Sequence, residues 1–212
     1  MVLPRTRIKV CGITREDDAV VAAEAGVDAI GLVFHPESPR CVSVEQARRI
    51  RWALPPFVTT VGLFVNASRD FVATALEQVP LDLLQFHGDE SAAFCSGFQH
   101  PWIRAVRVRD SRVVTAAEST YDKAFGLLAD AYSHERYGGT GKTFNWDWLP
   151  ATPSLPLILA GGLTAANVGE AVKRVQPWAV DVSGGVETEP GIKCPQRINE
   201  FVREVTLTHE TD

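Results

Sequence analysis

The sequence predicts a single (β/α)8 barrel, and three observations predict it. Short runs rich in leucine and β-branched residues alternate with helix-like stretches along the 212 residues, giving eight strand-helix units. These runs are apolar throughout rather than alternating, which is how parallel strands read when both faces of the sheet are buried. The polar residues that do punctuate them, Cys11, His35, Asn66, His87, Asp130 and Ser183, sit at or just beyond C-terminal strand ends. An open doubly wound sheet shares the first two signals. A ring of functional groups at one face belongs to the barrel, with its active site at the C-terminal face of the strands.

Arg7 to Val10 is the first strand, and Asp17 to Ala25 a helix closed by Gly26. Ala29 to Phe34 is the second strand. Ser43 then opens a helix through Gln46 to Trp52, with Glu45 in its first turn, where the helix dipole favours an acid. Thr59 to Val65, Leu83 to Phe86, Trp102 to Val106 and Phe125 to Ala129 make strands three to six. Leu157 to Ala160 and Ala179 to Val182 make seven and eight, stopped by Gly161-Gly162 and Gly184-Gly185. Loops of bare backbone after the last two strands offer amide N–H groups and helix N-termini to an anion, the usual phosphate site of such barrels. No low-complexity linker divides the chain, so one domain is expected over 1–205, with the polar segment 206–212 frayed.

Composition narrows the function. The balance of 21 basic and 26 acidic residues, net −5, gives no general attraction to nucleic acid. A local anion site remains compatible with it, because geometry rather than net charge makes one. No run reaches the ~18–20 apolar residues of a membrane span. Met1 to Arg7 lacks the apolar core of a signal peptide, which makes a cytoplasmic location the expectation. Cys11, Cys41, Cys95 and Cys194 show neither a CxxC nor the spacing of a secreted scaffold, so they are expected as thiols.

Several motifs carry chemistry. Gly138-Gly139-Thr140-Gly141-Lys142-Thr143 suggests a nucleotide-binding P-loop, but the required earlier glycine is Arg136, and the Walker pattern fails. The glycines suit a lid or a backbone clamp instead. Cys11, followed by Gly12, stands where barrel chemistry occurs, and a thiolate there can abstract a proton. Asp130 has two readings: a turn cap, or a partly desolvated acid facing a pocket. His87 ends a strand just before Asp89 and Glu90, which read as helix N-terminal residues. His35, His87 and Asp130 lack the spacing of a metal motif, so no metal is expected. Arg40, on the proline-stiffened loop His35-Pro36-Glu37-Ser38-Pro39-Arg40, is placed to pair bidentately with a carboxylate.

Taken in order, Lys9-Val10-Cys11-Gly12-Ile13-Thr14, Ser38-Pro39-Arg40, Val61-Gly62-Leu63-Phe64-Val65-Asn66 and Leu84-Gln85-Phe86-His87-Gly88-Asp89-Glu90 form a series. It continues with Gly138 to Trp146, Leu159-Ala160-Gly161-Gly162-Leu163 and Asp181-Val182-Ser183-Gly184-Gly185-Val186-Glu187. Together these closely resemble the phosphoribosylanthranilate isomerase family of tryptophan biosynthesis. The matches run from residue 8 to about 193, and their specificity lies in the combination.

The resemblance implies a (β/α)8 barrel and an Amadori rearrangement of N-(5-phosphoribosyl)anthranilate, a small phosphorylated substrate, with no cofactor. Asp130 matches the family's general acid, Cys11 its general base, and Arg40 the residue that binds the anthranilate carboxylate. Gly162 and the backbone around Ser183 and Gly184 match the phosphate site. Gly161, Gly141, His87 and Asp181 complete the expected substrate-binding set. A related isomerase of histidine biosynthesis keeps the barrel but commonly has aspartate where this chain has Cys11. A non-catalytic phosphate-binding protein would need the glycine loops but neither Cys11 nor Asp130. Two departures from the family stand out: Gly184 replaces a usual serine, and Cys194 replaces a polar residue, often aspartate, at the start of the final helix.

Overall fold

The computed structural model describes residues 5–131 and 143–210. Eight parallel strands, β1 (Arg7–Cys11), β2 (Ala29–Val33), β3 (Thr59–Phe64), β4 (Leu83–Phe86), β5 (Trp102–Val108), β6 (Leu127–Ala131), β7 (Leu157–Leu159) and β8 (Ala179–Val182), pair in chain order. β8 pairs back onto β1, with Lys9 beside Asp181, and closes the barrel. The outer ring consists of α1 (Glu16–Glu24), α2 (Val44–Ala53), α3 (Arg69–Gln78), α4 (Ala92–Ser96), α5 (Val113–Thr120), α6 (Ala165–Val175) and α7 (Pro195–Glu210). After β8 come a short 3-10 turn, Gly184–Val186, and a two-stranded hairpin of β9 (Glu187–Glu189) and β10 (Ile192–Lys193). No helix among the described residues is long and apolar enough to cross a membrane.

Local chemistry sets the helix starts. Ser43, Ser68 and Ser91 accept from the backbone N–H groups of Gln46, Phe71 and Phe94, satisfying donors that the first turns of α2, α3 and α4 leave open. At α6, Asn167 Oδ1 accepts from the Thr164 N–H at 2.8 Å while its Nδ2 donates to the Gly162 carbonyl at 3.0 Å. One side chain thus caps a helix and fixes the loop after β7.

Strand parity divides the core into two layers. Side chains two apart share a face, so Val10, Phe86 and Val182 point outward into the layer under the helices. The alternate positions, including Leu83, Ile103, Leu128, Ile158 and Ala179, fill the barrel interior. The same parity sends Lys9 and Cys11, Gln85 and His87, and Asp181 and Ser183 inward as pairs.

Two of the boundaries that differ from expectation matter most. The sixth strand starts at Leu127, not Phe125, because Phe125 lies in the preceding connection and is 65% exposed. The shift carries Asp130 inside β6 and makes it a buried strand residue. The final helix runs through Glu210 rather than fraying at 206, with Thr206 Oγ1 donating to the Val202 carbonyl and His209 Nε2 accepting from the Thr6 N–H.

Candidate active site

The C-terminal mouth of the barrel opens into a cavity of about 940 Å³. Cys11, Arg40, His87, Asp130, Gly161, Gly162, Asp181, Ser183 and Gly184 all line it. Gly141 and the rest of the glycine-rich segment 132–142 lie outside the described residues. Cys11 ends β1 and Asp130 stands next to last in β6, so β7 and β8 separate them around the barrel and they face the cavity from different parts of its wall. Among the described residues no three His, Cys, Asp or Glu side chains are grouped to hold a metal ion.

Asp130 is held at both oxygens. Its Oδ1 accepts from the Ala131 N–H at 2.8 Å, and its Oδ2 lies 3.2 Å from His87 Nε2. His87 Nδ1 lies 3.1 Å from Gln85 Nε2, and Gln85 Oε1 is buried with no partner among the described residues. A donating Gln85 amide leaves the imidazole proton on Nε2, aimed at Asp130.

The Cys11 thiol is buried, and burial pushes it up from its ordinary value. The charge of Lys9 opposes that rise. Lys9 shares the inward face of β1, and its Nζ lies 2.8 Å from Asp181 Oδ1. Burial disfavours the ammonium, but Asp181 and Cys11 together outweigh burial and keep Lys9 above its usual range, while burial pushes the Asp181 carboxyl itself up. Asp181, expected only as a substrate contact, thus also anchors a fixed positive charge close to the thiol.

Arg40 is already engaged. Its backbone N–H bonds Ser38 Oγ at 3.1 Å, and the neighbouring Cys41 bridges to Val33, tying the loop to β2. Gly12, at φ +76°, lies under the arginine stem, and a Cβ there would overlap Arg40 Cδ. The guanidinium bonds Glu187 bidentately, Nε to Oε1 at 2.8 Å and Nη2 to Oε2 at 2.7 Å. Glu187 Oε1 also accepts from Lys193 Nζ at 2.7 Å and from the Gly191 N–H at 3.2 Å. Lys193, with its side chain fully buried, donates as well to the carbonyls of Cys11 at 2.6 Å and Ser183 at 3.2 Å. The residue expected to await a substrate carboxylate therefore has one edge filled by a carboxylate of its own chain.

The glycine loops have a different construction. The amides of Gly161, Gly162 and Gly184 donate to no acceptor among the described residues. Gly185 packs so tightly against the Leu163 carbonyl that a Cβ there would overlap it, so only glycine brings the β8 loop against the β7 loop. Gly184 is under no such constraint. A Cβ there would lie 3.5 Å from Arg40 Nη2, at ordinary contact, so the serine usual in the family would face the Arg40–Glu187 pair.

Sequence reasoning misplaced one carboxylate and missed several partners. Glu90, read as a helix N-terminal acid, precedes the Ser91 cap and is buried. It accepts from the N–H groups of Asn66 and Gly88 and pairs with Arg104 Nη1 at 2.7 Å, bracing the loops beside His87. Lys9 and Gln85 carried a legible signal, each being a polar residue two positions before a site residue in an apolar strand. Glu187 and Lys193 carried no such signal.

Comparison with known proteins converges on one family. The family model described as N-(5'phosphoribosyl)anthranilate (PRA) isomerase matches residues 8–204. The N-(5'-phosphoribosyl)anthranilate isomerase of Pseudomonas fluorescens strain Pf-5 is 55% identical over 209 residues, covering 99% of this chain and all of the relative. That of Pseudomonas putida strain GB-1 is 58% identical over 199 residues, covering 94% and 97%. The phosphoribosyl anthranilate isomerase structure from Thermotoga maritima superposes with a TM-score of 0.84 at 40% identity, covering 95% of this chain and 98% of that one. A phosphoribosyl anthranilate isomerase solved in complex with reduced 1-(o-carboxyphenylamino)-1-deoxyribulose 5-phosphate gives 0.81 at 36% identity, with the same coverage. With nearly the whole chain matched, the chain belongs to the N-(5'-phosphoribosyl)anthranilate isomerase family.

Proposed function

We propose that Asp130 and Cys11 are the acid and base of the family's reaction, the rearrangement of N-(5-phosphoribosyl)anthranilate to 1-(2-carboxyphenylamino)-1-deoxyribulose 5-phosphate in tryptophan biosynthesis. The observation that carries this reading is that both groups open onto one cavity from β1 and β6. Asp130, in its protonated form, gives a proton to the ribose ring oxygen. The C1–O bond breaks, and the anilino nitrogen lone pair forms the C1=N bond of a Schiff base. Cys11, as thiolate, takes the proton from C2, and the C2–H electrons form the C1=C2 bond of a neutral enolamine. Tautomerisation places a proton on C1 and leaves the ketone at C2, with no net change in atoms or oxidation level. Each proton transfer contributes about 10² to 10⁴ in rate.

The remaining residues position the substrate. The amides around Gly162 and Gly184 receive the phosphate, whose binding energy fixes the reacting carbons. Arg40 takes the anthranilate carboxylate, and Val33, Leu63 and Val65, clustered with Cys11, offer an apolar wall to the aromatic ring. His87 and Gln85 hold Asp130. The buried thiol favours its protonated form in the empty site, whereas the cationic Schiff base favours the thiolate beside it. A cytoplasmic location belongs to the same proposal, since a base that works as a free thiol needs a compartment that keeps thiols reduced.

Loss of phosphoribosylanthranilate fluorescence on adding purified protein tests the reaction. Cys11→Ala and Asp130→Ala are each expected to lower kcat by at least about 10² while leaving substrate affinity within severalfold. Near-normal turnover in either variant overturns that residue's assignment.

A further inference from the structure

Glu187 places four donors on one carboxylate: Arg40 Nε and Nη2, Lys193 Nζ and the Gly191 N–H. They come from three separate segments, the loop after β2, β10 and the β9–β10 turn. The carboxylate is buried, and burial alone would raise its pKa. The Arg40 hydrogen bonds and the Lys193 charge outweigh burial and hold it below its usual range. A carboxylate that is charged near neutrality therefore grips the Nε/Nη2 edge of the arginine. A guanidinium has five N–H donors in a rigid plane, so fixing that edge also fixes where the Nη1 end points. Arg40 lines the cavity, and the grip prevents its long stem from sampling other rotamers.

We infer that Glu187, supported by Lys193, is the positioning residue that aims Arg40 at the substrate carboxylate, and so sets the preference for a carboxylated aromatic amine. The inference rests on the assignment of Arg40 made above. Glu187 does not touch the reacting atoms; it acts through Arg40. A glutamine in its place keeps the shape but presents an NH2 group to donors, so at least one of the bonds to Arg40 or Lys193 is lost. Lys193 also ties Cys11 and Ser183 to this carboxylate, which gives the same residue a second, structural role.

The test separates those roles with three probes: reduced 1-(2-carboxyphenylamino)-1-deoxyribulose 5-phosphate, the same compound without its ring carboxylate, and inorganic phosphate. Wild-type protein is expected to prefer the carboxylated ligand by about tenfold to hundredfold, the scale of a charged hydrogen-bonded pair. In Glu187→Gln that preference is expected to fall to within about threefold, with phosphate affinity unchanged within about twofold and kcat/KM lost mainly through KM. Glu187→Asp, which keeps the charge, is expected to restore part of the preference and provides the reading if the glutamine variant does not fold. Full preference retained in the variants, or tighter binding of the carboxylated ligand, overturns the inference, since Glu187 is then a structural clamp or a competitor for Arg40. No preference in wild-type protein instead overturns the Arg40 assignment, and the inference with it.

Discussion

The two regions of the cavity proposed to bind the substrate are built by different means. The loops after β7 and β8 are backbone constructions, with amides at Gly161, Gly162 and Gly184 that donate to no acceptor among the described residues and a close approach at Gly185 that excludes any side chain. The Arg40 region is a side-chain construction, in which Arg40, Glu187 and Lys193 converge from separate segments. A backbone site needs glycine at consecutive positions and is written locally. A side-chain site needs only that its members meet in space.

The difference predicts how each region fails. Gly185→Ala drives a methyl into the Leu163 carbonyl and is expected to cost about 1–3 kcal/mol, as overpacking does, together with a clear loss of affinity for inorganic phosphate. Thermal unfolding and phosphate inhibition measure both; retained phosphate affinity would show that the loops need not touch. Glu187 responds to pH instead. Its native carboxyl lies below the ordinary 4.5, so it binds a proton less readily in the folded than in the unfolded state. Its contribution is present above about pH 4.5 and is lost as pH falls through the lower native value. Glu187→Gln is therefore expected to be less stable than wild type near neutrality, the gap closing in acid; a gap independent of pH would separate its stability role from its charge. Gly184→Ser is the mildest change. With room for a Cβ, it is expected to alter stability by no more than about 0.5 kcal/mol and to affect carboxylate affinity before phosphate affinity. A larger effect on phosphate would assign Gly184 wholly to the backbone region.

The same contrast explains what the sequence reveals. The barrel is legible because apolar runs and glycine stops recur with a fixed rhythm, and Cys11, Asp130 and the glycine loops are legible because strand ends are where such folds act. The start of β6 is less so, because Phe125 is as good a strand residue as Leu127 and the register with Arg104 and Leu157 on the neighbouring strands selects between them. Glu90 looks like any acid before a helix until Arg104 is brought beside it by the next strand. Lys9 and Gln85 follow from parity once Cys11 and His87 are chosen. Cys194 also becomes specific in the fold: it precedes Pro195 at the start of α7, its carbonyl accepts from the Ile198 N–H, and its thiol contacts Gln196 Oε1 at 3.2 Å. The departure from the family there concerns helix capping and lies outside the cavity lining.

In the proposed reaction one cavity holds the substrate by two chemically different ends, with Cys11 and Asp130 acting between them. The most direct measurement is a crystal structure of this chain with reduced 1-(2-carboxyphenylamino)-1-deoxyribulose 5-phosphate bound. The phosphate is expected on the amides around Gly162 and Gly184, the ring carboxylate at the Nη1 end of Arg40 with Glu187 still in place, and C2 against Cys11 Sγ. A ligand bound the other way round, with its carboxylate on the glycine loops, would contradict it.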